Sequence, residues 1–157
     1  MQPFRFHSIY QPRIWGGQSM RTMLGRELPD RETAYGEAWE ISDRPEAMSI
    51  VKDGEWEGMP LHRLWEEHRQ EIFGPGYERF PRFPLLCKIL DARENLSVQV
   101  HPPERTAAAQ QGEVKNEIWY VLHASPDALI YGGMEENATL PDIRHAAETG
   151  QMEQLIR

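Results

Sequence analysis

The sequence has one cysteine, no basic run, and no apolar stretch near the roughly 18 residues that a membrane-spanning helix needs. Each absence excludes something. A lone Cys87 rules out an internal disulfide and fits a cytoplasmic location. Lys and Arg number 17 against 25 Asp and Glu, for a net charge of −8 and a pI of about 5.3. That balance disfavours nucleic acids and anionic membranes as partners. The first ten residues, MQPFRFHSIY, lack an apolar h-region and are not expected to act as a signal peptide. Internal repeats and low-complexity tracts are also missing.

The 157 residues of the chain are 39% hydrophobic, enough for one globular domain with a core. Pro and Gly, 12 each, punctuate the chain as turn signals. Between them lie short strand-like runs. GEAWEIS (36–42) alternates, with Ala38 on one face and Glu37, Trp39 and Ile41 on the other. MSIVKDGEW (48–56) predicts a hairpin around Asp53-Gly54. FPLLCKILD (83–91) predicts a strand buried on both faces, with Cys87 as an inert core thiol. EIWYVLH (117–123) and DALIYGG (127–133) predict two more strands. A helix is predicted over 60–74, with Pro60 near its start and Gly74 past its end. Leu61, Leu64, Trp65, His68 and Ile72 form its apolar stripe. The tail, 140–157, reads as two helical pieces broken at Gly150. The expected class is mainly β, sandwich or barrel, with a helical insertion and a C-terminal helical segment.

The chemistry-bearing stretch is LSVQVHPPE (96–104). At strand period, Leu96, Val98 and Val100 share one face, while Ser97, Gln99 and His101 share the other. Pro102 and Pro103 then end the strand. In VKNEIWYVL (114–122), Lys115, Glu117, Trp119 and Val121 share a face. If the two strands pair, Gln99, His101 and Glu117 converge. An amide oxygen, an imidazole nitrogen and a carboxylate suit a borderline divalent ion: zinc, or else iron, manganese or cobalt. From spacing alone, a solvated polar face with a Lys–Glu pair is the commoner outcome.

The runs PLLCKILDARENLSVQVHPPE and KNEIWYVLHASPDALIYGG resemble type I mannose-6-phosphate isomerase, a cupin metalloenzyme. RIWGG (13–17), GEAWEIS and LHRLWEEHRQEIFG match in the same order, so the resemblance runs from about residue 3 to the last. It implies an incomplete cupin-type jelly-roll, with residues 1–134 as its N-terminal part and 135–157 as a helical tail leading to a second half. It implies that Gln99, His101 and Glu117 are ligands of one divalent metal ion, zinc foremost. Ser97, Lys88 and Lys115 then line the substrate site, with Lys115 as the catalytic candidate. The family's Gly-Lys-x-Glu stands here as Val114-Lys115-Asn116-Glu117. Its fourth ligand, a later His, lies beyond this chain. His145 sits in a predicted helix and is not promoted to that role.

The implied activity is metal-dependent isomerisation of mannose 6-phosphate and fructose 6-phosphate. This short chain is expected to bind metal weakly and turn over little. The alternatives are a non-catalytic cupin that binds a sugar or sugar phosphate, and a half-barrel that completes itself as a homo-oligomer. Trp39, Trp65 and Trp119 read as core residues. His62 and His68, six apart on one helix, do not meet. Glu37 is given no role.

Overall fold

A computed structural model describes residues 3–157. The chain packs as two compact units that divide between Leu96 and Ser97.

The first unit is built on a three-stranded antiparallel sheet in the order β1 (Ile9–Gly17), β2 (Tyr35–Ile41), β5 (Cys87–Leu90). The alternating GEAWEIS run is most of the central strand. Ile9 faces Trp39 and Gln11 faces Glu37 across β1–β2. Register then shifts at Pro12, which has no N–H for the ladder. Pairing resumes where the Arg13 N–H donates to the Ala34 carbonyl at 3.0 Å. Gly36 is required here by close approach: a Cβ at this position would lie 2.6 Å from both Arg13 Cβ and the Trp15 ring. Met20, in the one-turn helix α1 (Ser19–Thr22), forms a buried cluster with Tyr35 and Ala38, and Tyr10, Leu28 and Ile89 pack on it.

The strand expected over 83–91 is shorter than its apolar run. Only Cys87–Leu90 pairs, and it does so at the sheet edge. Cys87 is therefore exposed rather than a core thiol, because β5 has a neighbour on one side only. The expected Asp53-Gly54 hairpin is also revised. The tight hairpin is β3 (Asp43–Arg44) with β4 (Ala47–Met48). Asp53-Gly54 instead lies in a wider loop, closed by the Val51 N–H donating to the Met59 carbonyl at 3.0 Å. Gly54 and Gly58 take positive φ there, 88° and 82°.

The helix expected over 60–74 is present but broken in two, α2 (Leu61–Glu67) and α3 (Arg69–Phe73). His68 leaves helical geometry (φ −127°, ψ 18°) where its ring packs edge-on against Trp56, 4.4 Å between centroids. Gly74, at φ 78°, ends the second piece. Trp65 is fully buried. Around it stand Phe73, Phe83 and Tyr77, with centroids 5.0, 5.6 and 6.0 Å away. Its indole N–H donates to the Phe80 carbonyl at 3.2 Å. The buried Asp43 carboxylate joins three segments. It accepts the Phe83 N–H at 2.7 Å, and His62 Nδ1 sits 2.9 Å from Oδ1 and 3.1 Å from Oδ2.

The second unit holds the short helix α4 (Glu104–Ala107) and the longer α5 (Leu140–Thr149). α5 opens on a capping box. The Asp142 N–H donates to Thr139 Oγ1, and the Thr139 N–H donates to the Asp142 carboxylate. Gly150, left-handed at φ 70°, ends it, and a 3-10 turn (Met152–Gln154) follows. This is the break that the tail sequence predicts.

The strands expected over 96–101, 117–123 and 127–133 are not formed: 96–101 and 117–123 run without ladder partners, and in 127–133 Gly132 and Gly133 share backbone hydrogen bonds with Arg157. Val100 is 87% exposed and Ile118 fully so. A period-two pattern sets the face of each residue, but a strand also needs a neighbour to bond. Among the described residues of this unit, an isolated antiparallel bridge pairs Met134 with Ile156. Trp119, expected in the core, is exposed as well. No helix among the described residues is long and apolar enough to cross a membrane.

Candidate functional site

In the first unit the sheet register gathers charged groups on one face. Lys88 stands opposite Trp39 in β5–β2, so it shares a face with Glu37, two residues along. Lys88 Nζ donates to Glu37 Oε1 at 2.9 Å. Arg13, past the Pro12 irregularity, reaches Glu37 Oε2 at 2.6 Å. The Trp39 indole N–H donates to the same oxygen at 3.1 Å. Glu37 is a buried carboxylate with three donors, two of them cations.

Burial by itself pushes the Glu37 carboxyl up. The hydrogen bonds from Lys88 and Trp39, with the charges of Lys88 and Arg13, outweigh it and hold the carboxyl below its ordinary 4.5. A depressed carboxylate contributes stability above its unfolded value and loses it as pH falls through the folded one. Glu37→Gln should therefore lower the melting temperature at pH 7 by roughly 4–8 °C, equivalent to about 1 kcal/mol in a domain of this size. The gap to wild type should narrow as pH drops below 4.5. Melting curves from pH 7 to pH 3 would show it, and a constant gap would refute it.

Glu37 and Arg13 are the members of this cluster that sequence reasoning left without a role. Glu37 sits on the Trp39 face of an alternating strand, which was the available signal. Its pairing with Lys88, 51 residues away, depends on the register.

The other expected site residues lie in the second unit, all exposed. Gln99 Nε2 donates to Ser97 Oγ at 3.2 Å. Lys115 Nζ lies 2.9 Å from Glu117 Oε1. Both are contacts between residues two apart, as extended backbone produces. His101 is exposed just ahead of Pro102. Gln99 and Glu117 thus direct their side chains to neighbours within their own segments. Among the described residues no group of three or more His, Cys, Asp or Glu gathers as a metal site would. The donor types of Gln99, His101 and Glu117 still suit a divalent ion: a neutral amide oxygen, an imidazole and a carboxylate.

Comparison with known proteins bears on the family of the chain. A family model described as "Phosphomannose isomerase type I, catalytic domain" matches residues 3–130. The mannose-6-phosphate isomerase of Streptococcus mutans is 40% identical over 157 residues, covering 99% of this chain and 48% of that protein. Mannose-6-phosphate isomerase ManA of Bacillus subtilis is 38% identical, again over 99% of this chain and 48% of its own length. A crystal structure of a mannose 6-phosphate isomerase from Bacillus subtilis superimposes with a TM-score of 0.76 at 31% identity. It covers all of this chain and 49% of that one. The fold is accordingly the mainly-β, cupin-type fold expected from the sequence. The chain spans about half the length of the curated relatives it matches.

Proposed function

Because this chain belongs to the type I phosphomannose isomerase family, we propose that it contributes the N-terminal part of an enzyme interconverting mannose 6-phosphate and fructose 6-phosphate. The observation that carries this reading is the match along 99% of the chain to a protein named for that reaction. The reaction moves a proton between C2 and C1 of the sugar through an enediol, so charge develops on O1 and O2.

In this reading Lys88 and Ser97 bind the substrate. Arg13 and Lys88 outnumber the single carboxylate between them, a local cationic excess on a chain of net charge −8 that favours a phosphorylated ligand. Glu37 holds the Lys88 ammonium in place. Lys115 donates to the sugar oxygen that gains negative charge as C2 loses its proton. Gln99, His101 and Glu117 would hold one divalent ion, zinc foremost. When bound, that ion would polarise the sugar carbonyl. A reaction on phosphorylated sugars places the protein in the cytoplasm, and the single Cys87 suits that compartment.

A coupled assay for fructose 6-phosphate, run on zinc-supplied protein, tests the proposal alongside direct titration with mannose 6-phosphate. Turnover, or saturable binding lost in Lys88→Ala, supports it. Failure to bind either sugar phosphate overturns it. The half-length match favours one further reading, a non-catalytic sugar-phosphate binder. Saturable binding with no turnover, even when the rest of the fold is supplied, would select that reading.

A further inference from the structure

A cleft that the candidate site does not use lies along the connection between β1 and β2. It encloses about 570 Å³ and is walled by Arg21 and residues 25–31, a volume within the usual range for small-ligand pockets. Three of the wall side chains are arginines, Arg21, Arg26 and Arg31. None of the wall residues belongs to the Arg13–Glu37–Lys88 cluster. Leu28, in the wall, packs on the core cluster that includes Ala38. Ala38 points to the opposite side of β2 from its neighbour Glu37, so the cleft is backed by the other face of the sheet.

The wall is held in place by its own hydrogen bonds. The Asp30 carboxylate accepts the Thr33 N–H at 2.6 Å and the Glu32 N–H at 2.9 Å. It also accepts the hydroxyls of Thr33 and Tyr35, at 2.9 and 2.8 Å. These bonds, the Thr33 N–H foremost, hold its carboxyl down to about 2. The Asp30 carbonyl in turn accepts from Arg21 Nη2 at 2.6 Å. A carbonyl has no formal charge, so this bond orients the Arg21 guanidinium without neutralising it. Arg26 is paired with Glu40 at 2.7 Å. With Asp30 committed to its turn, Glu27 is the wall carboxylate left to oppose Arg21 and Arg31. A local cationic excess thus stands on a chain of net charge −8.

We propose that this cleft is a further binding site, for a phosphate group, in which Arg21 and Arg31 clamp the anion and Leu28 meets any organic part. Guanidinium groups suit phosphate because two of their N–H groups can bond two of its oxygens together. The site uses neither the metal nor the isomerisation, so it stands or falls apart from the function proposed above.

The test is titration of the 157-residue chain with inorganic phosphate and, separately, with phenyl phosphate, followed by NMR of the backbone amides and the arginine Nε–H groups. Saturable shifts are expected over residues 25–31 and at the Arg21 and Arg31 Nε–H groups. Arg21→Gln/Arg31→Gln should weaken the affinity about 10-fold or more, and Arg31→Gln alone about 5-fold. Arg31 is exposed, so the single variant should leave the melting temperature unchanged. Glu27→Gln should tighten binding about 2-fold by removing the opposed charge. Tighter binding of phenyl phosphate would identify a phosphomonoester as the occupant, and equal affinity would identify free phosphate; both support the site. Four results would each overturn it. They are no saturable shift over 25–31, shifts reproduced by sodium chloride at matched ionic strength, an affinity indifferent to both arginine variants, or shifts confined to the Trp39 indole N–H beside Glu37 and Lys88.

Discussion

Trp65→Ala is expected to destabilise the first unit by about 3–5 kcal/mol, the range for deleting a large buried aromatic. Trp65 is fully buried, and Phe73, Phe83 and Tyr77 close around it. Arg69 lies over its ring at 4.7 Å. The change would also strand the Phe80 carbonyl that its N–H now serves, and would open a cavity between α2, α3 and the segment entering β5. Against a total stability of about 5–15 kcal/mol, that leaves a marginal fold. Urea unfolding should show a much lower midpoint with little change in slope. Trp119→Ala is the internal comparison. Trp119 is 57% exposed in the second unit, so its loss from this chain should stay within about 0.5 kcal/mol. Equal costs at the two positions would contradict the assignment of Trp65 to the core.

The largest expected effect on chemistry is at His101. In the proposed ligand set His101 would supply the one imidazole. Its removal should weaken zinc binding by more than about 100-fold, beyond the 10–100-fold typical of losing an outer-sphere partner. Equilibrium dialysis against a range of zinc concentrations, followed by elemental analysis of the protein with and without His101→Ala, reads this directly. His62→Ala and His145→Ala are the controls. His62 is engaged with the buried Asp43, and His145 lies within α5. Zinc retention that His101→Ala leaves unchanged, or that either control abolishes, would remove His101 from the ligand set.

Local geometry was largely legible in the sequence. Alternation in GEAWEIS placed Glu37 and Trp39 together, and the Trp39 N–H does bond the Glu37 carboxylate. Lys115 and Glu117 meet as residues two apart on extended backbone should. Pro60 and Gly74 bracket the helical insertion, and Gly150 breaks the tail. Each of these follows from φ/ψ preferences or side-chain period, which neighbours a few residues away decide.

Other features required partners far along the chain. Glu37 meets Lys88 only because β5 pairs with β2 in a particular register. Asp43 acquires its role when the 83 region returns to it. Cys87 sits in an apolar run that looks buried, yet it lies on an edge strand and is exposed. The same limit explains 96–101 and 117–123, whose period-two pattern marks them for a sheet that the described residues do not complete. The sequence by itself determined which side chains face the same way and where helices stop. Tertiary structure alone decided which faces are covered, because burial and ladder pairing depend on contacts between segments that no local pattern encodes.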